Sequence, residues 1–290
     1  MKLTNRTNLP EPIVRAIEND DYSKGDAHYS CSELIAPIRI TLLKQRHWNE
    51  ITEDVLDNLW ALFGKLGHKL AEQAGADNAL LEERLFAEVK GRKISGATDV
   101  AQYVLDDGII TDYKFTSVYT RIFGDRMGEW TDQQNIYAWL FGQHGFKIQR
   151  LQICAFYRDW RRSEAITKGI EYPPQAEIIP LEIWTNQQQQ EFIERRVEGL
   201  VHCENLMDDE LPKCTLDEMW AKPTTYAVMK DGGKRALRVL ESEQEAVMWM
   251  EENKKGDHIV KRPGERVRCE GYCSVAPFCN VYQQYKQEKR

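Results

Sequence analysis

The chain has 290 residues, of which 42% are hydrophobic and 29% are charged, enough to bury one sizeable core and a smaller lobe. Its net charge of −7 argues against a protein that coats duplex DNA without sequence preference, because such binding relies on many basic contacts with phosphates. Residues 1–12 are polar and no apolar run could span a bilayer, so we expect no signal peptide and no membrane anchor. An odd count of seven cysteines then favours reduced thiols in a cytoplasm over a disulfide framework.

Composition along the chain predicts three regions. Residues 1–29 are rich in Asn, Asp, Pro and Ser, which predicts an N-terminal arm made of loops. Residues 30–207 contain both helical and strand periodicities, and we expect them to form the main α/β core. Residues 208–290 form a smaller C-terminal lobe, which also holds the densest group of cysteines.

Residues 53–75 have the periodicity of a helix. Its apolar stripe consists of Val55, Leu59, Leu62, Leu66 and Leu70. His68 lies opposite this stripe among small residues, so we predict a helix covered on both faces with an inward imidazole. Such a histidine is either an ordinary core residue or part of a metal site.

The next segment alternates in the manner of a β-hairpin and carries Asp99, Asp112 and Lys114. The Asp107-Gly108 dipeptide predicts a tight two-residue turn between its strands. With that turn, the three side chains share one face of the hairpin, but the two carboxylates lie far apart. A shared ion would then require a bulge or a looser turn.

Two carboxylates beside a lysine suit metal-assisted phosphodiester hydrolysis. Mg²⁺ takes oxygen ligands and keeps several waters, so two carboxylates suffice to hold it against a phosphate. The ion polarises the phosphoryl oxygen and lowers the pKa of a bound water, while an ammonium orients that water or neutralises developing charge. The plain alternative is a solvated surface hairpin, because the D-x-K pattern by itself is common.

A further helix, over 132–142, places Gln133 and Tyr137 four residues apart on one face. The ordered series of His68, ISGATD ending at Asp99, Asp112-Tyr113-Lys114 and Gln133-x-x-x-Tyr137 resembles the motifs of the RecB-type branch of the PD-(D/E)XK nuclease superfamily. The resemblance extends over residues 30–160. It implies a restriction-endonuclease-like α/β core, with a central mixed sheet flanked by helices.

The resemblance also implies a role for each motif residue. His68, Asp99 and Asp112 would bind Mg²⁺ or Mn²⁺, and Lys114 would activate the nucleophile. Gln133 and Tyr137 would help to place the scissile strand. The second acidic motif reads D-x-K rather than E-x-K, which the family allows.

Other elements of the core and lobe follow from local patterns. In one sheet we predict strands over 85–89, 93–97, 99–105 and 109–115, with a further strand around Ile153. We also predict a polar helix over 186–204, a hairpin near Tyr226 and a helix over 243–252.

A basic and aromatic stretch follows the strand at Ile153. Arg158, Arg161 and Arg162 could hold phosphates, and Trp160 could stack on an unpaired base. A solvated turn is an equally good interpretation of this stretch.

The C-terminal lobe contains Cys269-x3-Cys273-x5-Cys279, three thiols within eleven residues. A site with four thiolate ligands needs one more, and the candidates are Cys31, Cys154, Cys203 and Cys214. The segment LPKCTLDEMW around Cys214 resembles one that precedes the same triplet in phage and AddAB-like nucleases. In those relatives four cysteines hold a [4Fe-4S] cluster, which implies Cys214, Cys269, Cys273 and Cys279 as the ligands here.

The spacing of the triplet leaves alternatives open. It differs from the C-x2-C-x5-C of many relatives, and it also differs from the paired C-x2-C motifs of zinc ribbons. An iron–sulfur cluster is therefore the first choice of bound group, and Zn²⁺ is the second. Buried, reduced thiols are the third. Cys31 keeps open the arrangement of the related CRISPR-adaptation nucleases, whose first cysteine lies near a Cys-Pro-Arg; the comparable stretch here is Ala36-Pro37-Ile38-Arg39.

The resemblance implies a metal-dependent deoxyribonuclease of phage or bacterial recombination, acting in the cytoplasm of a bacterial host. We expect an exonuclease whose partner is DNA that is single-stranded or has free ends, with a recombination protein as a second partner. One alternative is a module that binds DNA or a recombination protein without turnover. Another is a structure-specific endonuclease or RNase on the same core.

Overall fold

The computed structural model describes residues 1–19, 23–75, 77–104 and 107–289 and shows an α/β protein whose mixed sheets are flanked by helices. The strands are β1 Lys2–Thr4, β2 Tyr29–Ser30, β3 Thr52–Asp54, β4 Ala79–Leu81, β5 Arg84–Val89, β6 Arg92–Ala97, β7 Val100–Val104, β8 Asp107–Thr116, β9 Ile148–Tyr157, β10 Ala176–Leu181, β11 Ala221–Lys222, β12 Thr225–Met229, β13 Arg238–Leu240, β14 His258–Arg262 and β15 Glu265–Arg266. The helices are α1 Glu11–Glu18, α2 Cys31–Ile35, α3 Ile38–Arg46, α4 Leu59–Ala74, α5 Val118–Phe123, α6 Met127–Gln143, α7 Arg162–Lys168, α8 Asn186–Cys203, α9 Glu243–Asn253, α10 Val267–Gly271 and α11 Asn280–Glu288.

The chain divides into two compact units. Residues 1–36 and 52–205 form the first, and residues 37–51 and 206–290 form the second. The division of the chain into 1–29, 30–207 and 208–290 stays a prediction. In the compact units, α3 belongs with the C-terminal part rather than with the core. Residues 1–29 were expected to be loops, but they contain α1 and also β1, which pairs in parallel with β3.

The main sheet of the first unit has the order β10-β9-β8-β7-β4. β8 and β9 run parallel, and the other neighbours run antiparallel. One face is covered by α6, whose residues 134–141 are buried around its circumference, as expected for a helix that is apolar on most sides. Buried Ile110, Leu151, Ile153 and Ala155 fill the strands below it.

The strands over 84–89 and 92–97 form a separate sheet, of order β2-β6-β5, so their predicted place in the main sheet is wrong. The strand ladder stops at Ala97, before β7 begins at Val100. Between them, the side chain of Asp99 rather than its backbone bonds to β8: its Oδ2 accepts a hydrogen bond from Tyr113 N at 2.6 Å. This break separates the two sheets.

The hairpin of β7 and β8 has a different turn from the one predicted. Val104 pairs with Asp107, so Asp107 and Gly108 belong to β8 and do not form the predicted turn; residues 105–106 lie outside the described residues. Gly108 is required instead by close packing, because a Cβ there would lie 2.4 Å from the carbonyl oxygen of Lys147. The observed register pairs Val100 with Thr111, and one further step sets Asp99 opposite Asp112. The two carboxylates therefore approach without the predicted bulge.

Helix α4 packs through its small residues rather than through its predicted stripe. It begins at Leu59 because residues 52–54 form β3. Leu66 and Leu70 were expected to be covered, but they are 51% and 68% exposed. The contact with the sheet is made at Gly67, where a Cβ would lie 2.1 Å from the ring of Phe115.

The remaining predicted elements agree with the structure within a few residues. Residues 186–203 and 243–253 are helices, and residues 148–157 are a strand. In the second unit, β12 pairs with β13 and β14, and α9 covers this sheet with Ala246 buried. No helix in the described part of the chain is both long and apolar enough to cross a membrane.

The packing of α4 predicts opposite effects for two glycine substitutions. Gly67→Ala should lower the free energy of unfolding by about 1–3 kcal/mol, because the new methyl group overlaps the Phe115 ring. Gly64→Ala should raise it by about 0.5–1 kcal/mol, because no atom lies within 4 Å of a Cβ there and alanine favours the helix. Urea denaturation of both variants measures the difference. Equal stabilisation by both would show that α4 does not approach the sheet at Gly67.

Candidate metal-binding cleft

The first unit contains a cleft of about 760 Å³ whose walls come from separate parts of the chain. All six residues predicted from the nuclease motifs line it: His68, Asp99, Asp112, Lys114, Gln133 and Tyr137. They lie on α4, on the link before β7, on β8 and on α6. Residues spread over 70 positions of sequence thus line one cleft.

The tightest group in the cleft consists of His68, Asp99 and Glu82. His68 Nδ1 lies 3.2 Å from Asp99 Oδ1 and 3.8 Å from Glu82 Oε1. Within the described residues, it is the one group of three potential ligands whose atoms all lie within 4.8 Å of one another. This arrangement is a possible metal site.

The hydrogen bond on the other side of the imidazole fixes its tautomer. His68 Nε2 lies 3.0 Å from the carbonyl oxygen of Tyr113, which can only accept, so Nε2 carries a proton. In the neutral ring, Nδ1 then presents its lone pair to the two carboxylates, which is repulsive unless Nδ1 is protonated or a metal cation lies between them. Burial lowers the pKa of His68, but the hydrogen bond and charge of Asp99 more than offset it, so the pKa is raised.

Asp112 forms a buried ion pair with Lys114 and is not part of the tight group. It is 3% exposed, and its Oδ2 lies 2.6 Å from Lys114 Nζ. No donor among the described residues meets that oxygen in hydrogen-bond geometry. Burial raises the pKa of Asp112, although the Lys114 charge opposes the rise. Metal binding by Asp112 therefore stays a prediction.

Lys114 is oriented by a chain of hydrogen bonds from α6. Its Nζ donates to Gln133 Oε1 at 3.0 Å, and Gln133 Nε2 donates to Tyr137 Oη at 3.0 Å. Burial lowers the pKa of Lys114, but the Asp112 carboxylate raises it further, so the amine stays protonated. Gly96 allows α6 to come this close, because a Cβ there would lie 2.8 Å from the Tyr137 ring.

Glu82 is the cleft residue that sequence reasoning missed. It lies between β4 and β5 with φ of 50°, a conformation that is uncommon for glutamate. Its neighbours in the stretch LLEERLF show no spacing that distinguishes it from the adjacent Glu83. The only available signal was an acidic pair ahead of a strand, which is too common to identify a ligand.

The basic stretch after β9 contains three arginines and Trp160. Trp160 is half-buried against the apolar cluster that includes β9 and β10, and its Nε1 donates to the Pro173 carbonyl at 2.9 Å; base stacking by its ring stays a prediction. The exposed aromatic residue is Trp60, which is 55% exposed and lies 4.4 Å from the Arg158 guanidinium. Arg161 and Arg162 are exposed, and phosphate binding by the three arginines stays a prediction.

In the second unit, one cavity is lined by all four predicted cysteine ligands: Cys214, Cys269, Cys273 and Cys279. The other candidates, Cys31, Cys154 and Cys203, belong to the first unit, and Cys31 lines the cleft there. Within the described residues, no three of the sulfur atoms lie within 4.8 Å of one another. Tetrahedral zinc would hold its sulfurs about 3.8 Å apart, so that arrangement is not formed.

Burial disfavours the charged form of three of these thiols. It raises the pKa of Cys214 to about 12, with further increases from Glu218 and the other three thiols. Burial also raises the pKa values of Cys269 and Cys273. Without metal, the thiols of Cys214, Cys269 and Cys273 are therefore neutral at pH 7, and any metal that binds them must displace their protons.

No family model and no curated protein matches this chain. Among solved structures, it is similar to the crystal structure of SSO0001, with 16% identity and a TM-score of 0.45 over 68% of this chain and 86% of that one. It is also similar to a putative exonuclease from Eubacterium rectale, with 16% identity and a TM-score of 0.30 over 50% of this chain. The matched region spans 55% of that second chain.

The geometry of the tight group predicts a role for Glu82 in metal binding. Glu82→Gln should weaken Mn²⁺ binding at least tenfold, because it removes one of the two carboxylates facing His68. Glu83→Gln removes the same charge from an exposed neighbour and should leave the affinity unchanged. Isothermal titration of both variants with Mn²⁺ tests the prediction. Equal affinities would remove Glu82 from the site.

Proposed function

We propose that the protein is a divalent-metal-dependent deoxyribonuclease with a restriction-endonuclease-like core of the RecB branch. The observation that supports this proposal most directly is the convergence of an imidazole, three carboxylates and a buried lysine in one cleft. The reaction is hydrolysis of a phosphodiester bond. The cellular setting we propose is phage or bacterial recombination, with an exonuclease acting from DNA ends.

The residues of the cleft fit a hard divalent ion. Their donor set is one imidazole nitrogen with carboxylate oxygens, which suits Mg²⁺ or Mn²⁺ better than a soft metal. A metal cation would take the place of the Nδ1 proton between His68 and its two acidic neighbours. The Asp112 carboxylate, which lines the same cleft beside Lys114, offers a further oxygen ligand. When bound, such an ion polarises a phosphoryl oxygen and lowers the pKa of its water.

Lys114 acts in this proposal as a fixed positive donor rather than as a base. Its ammonium has three N–H groups; Gln133 accepts one, and Asp112 lies beside it. Because its pKa is raised, the amine cannot take a proton from water at neutral pH. It is suited to orienting the attacking water and to neutralising charge on the phosphate.

The substrate we propose is a DNA strand that is unpaired or has a free end. Exposed Lys65 and Lys69 lie on the α4 wall of the same cleft, where they can contact phosphates. The Trp60 ring, at the N-terminal part of that helix, is open enough to stack on an unpaired base. A recombination protein remains the proposed second partner.

For the second unit we propose a [4Fe-4S] cluster held by Cys214, Cys269, Cys273 and Cys279, with Zn²⁺ as the alternative. The four thiols line one cavity, and among the described residues no three of their sulfur atoms lie as close together as a single tetrahedral ion would hold them, so Zn²⁺ would have to draw them inward. A cluster fits wider spacing, because each thiolate binds a different iron. The cluster would join Cys214 to the triplet and close the loop of 54 residues that separates Cys214 from Cys269.

Two substitutions test the proposed activity. Asp112→Asn and Lys114→Met should each lower cleavage of labelled DNA in Mg²⁺ or Mn²⁺ by about 10² or more. Each removes one partner of a buried ion pair, so the variant should remain folded but less stable. Single-stranded DNA, duplex DNA and RNA substrates, assayed in parallel, separate the exonuclease from an endonuclease or RNase.

The control for this experiment is Lys147→Met, which removes an exposed lysine outside the cleft and should leave cleavage unchanged. Circular dichroism establishes the temperature at which all three variants are folded. Wild-type cleavage by folded Asp112→Asn or Lys114→Met would eliminate the proposed site. A wild-type protein that binds DNA without cutting it would indicate a binding module instead.

A matched pair of cysteine variants tests the proposed cluster. Protein purified without oxygen should be brown, with visible absorption that bleaches on reduction. Cys214→Ser should lose bound iron and lower the thermal stability of the second unit, while Cys154→Ser, in the first unit, should retain the wild-type iron content. Colourless protein with one zinc per chain would overturn the iron assignment. A metal-replete, fully stable Cys214→Ser variant would point to another fourth ligand.

A further inference from the structure

A single arginine is buried beside the cysteine cavity. Arg39, on α3, is 2% exposed and is among the largest fully buried side chains. Its Nε donates to the sulfur of Cys279 at 3.3 Å. Its other nitrogens donate to the carbonyl oxygens of Leu211 and Asp208 and to the side-chain oxygen of Asn280.

All these acceptors are formally neutral when Cys279 is a thiol. No ion pair between Arg39 and a carboxylate is formed within the described residues, and the Asp208 carboxylate binds Arg46 and His47 instead. A guanidinium removed from water without a counter-charge is costly, and buried charges are normally paired. The position of Arg39 therefore calls for an anion at the cavity, and the nearest group that can become one is the Cys279 sulfur.

The other charges around the cavity have the same sign. Arg268 also lines it. Glu218 is the acidic residue among the lining side chains. Positively charged side chains thus outnumber acidic ones around the cysteine cavity, although four neutral thiols would require no counter-charge.

We infer that Arg39 is the counter-charge of an anionic, thiolate-ligated group and hydrogen-bonds the Cys279 thiolate within it. Four thiolates outweigh the positive charge of an oxidised [4Fe-4S] core, so such a site is anionic. A donor to a ligand sulfur and a nearby positive charge both stabilise the more negative, reduced state. Arg39 is therefore a positioning and tuning residue of the cluster, and this inference rests on the cluster proposed above.

The test measures the reduction potential of iron-loaded protein. Reduction by dithionite adds one electron to the cluster. In Arg39→Gln we expect reduction to become at least tenfold less favourable, a shift of about 59 mV to more negative potential. Arg39→Lys keeps a charge but loses the Nε donor, so its shift should be smaller. Arg46→Gln removes a charge from the same helix without touching sulfur and should leave the potential unchanged.

Two outcomes of this titration would overturn the inference. If Arg39→Gln is folded and iron-loaded but keeps the wild-type reduction potential, Arg39 has only a structural role, through its hydrogen bonds to the carbonyl oxygens of Asp208 and Leu211. A shift in Arg46→Gln as large as that in Arg39→Gln would show that any charge on α3 suffices. Protein that binds only zinc would instead overturn the cluster itself, so failure of the two proposals can be told apart.

A second measurement covers the case in which Arg39→Gln does not fold. Wild-type protein labelled with ¹⁵N-arginine is reduced and studied by electron–nuclear double resonance. We expect a ¹⁵N coupling to the cluster that persists in Arg268→Gln, since Arg268 donates to the Glu218 carbonyl rather than to sulfur. Absence of the coupling, or its loss in Arg268→Gln, would show that Arg39 makes no hydrogen bond to the cluster.

Discussion

The arrangement of the cleft depends on the carboxylate of Asp99. Its Oδ2 accepts the Tyr113 amide, and its Oδ1 faces His68, so one side chain connects the start of β7 with β8 and α4. A charged acceptor makes stronger hydrogen bonds than a neutral one. Because Tyr113 lies between Asp112 and Lys114, the same contact fixes where both of those side chains leave the strand. The carboxylate thereby sets the register on which the site is built.

The second constraint is the burial of Asp112 and Lys114. Neither charge could be left in this environment alone, because each depends on the other for compensation. A buried pair of this kind contributes little net stability compared with apolar residues of the same size. The position of this pair in the cleft, with a hydrogen-bond chain that ends on the amine, is consistent with the proposed role of Lys114.

Much of the first unit could be predicted because its signals are local or ordered. Alternation located β5 and β6, and the order of the motifs identified six residues that meet in the cleft. The predicted turn was wrong because Asp107-Gly108 has the sequence of a tight hairpin turn, whereas Gly108 lies within β8 and its lack of a side chain lets the strand approach the Lys147 carbonyl. Glu82 was missed because its role comes from a positive φ at a turn, which the sequence does not display. The prediction that the leucine stripe of α4 is covered was wrong, because the helix contacts the sheet at Gly67 rather than through its leucines.

The second unit shows a limit of a different kind. The sequence around Arg39 gives no sign that this side chain is buried, since arginine side chains are usually exposed. Its burial follows from topology: α3 precedes residues 52–205, yet it lines the cysteine cavity formed by residues after 206. Closing such a long loop costs conformational entropy, which the contacts of α3 with the C-terminal part must offset. An anionic group held by four cysteines and neutralised by Arg39 would bond α3 electrostatically to the distant segments, so binding of the metal group and closure of the loop would stabilise each other.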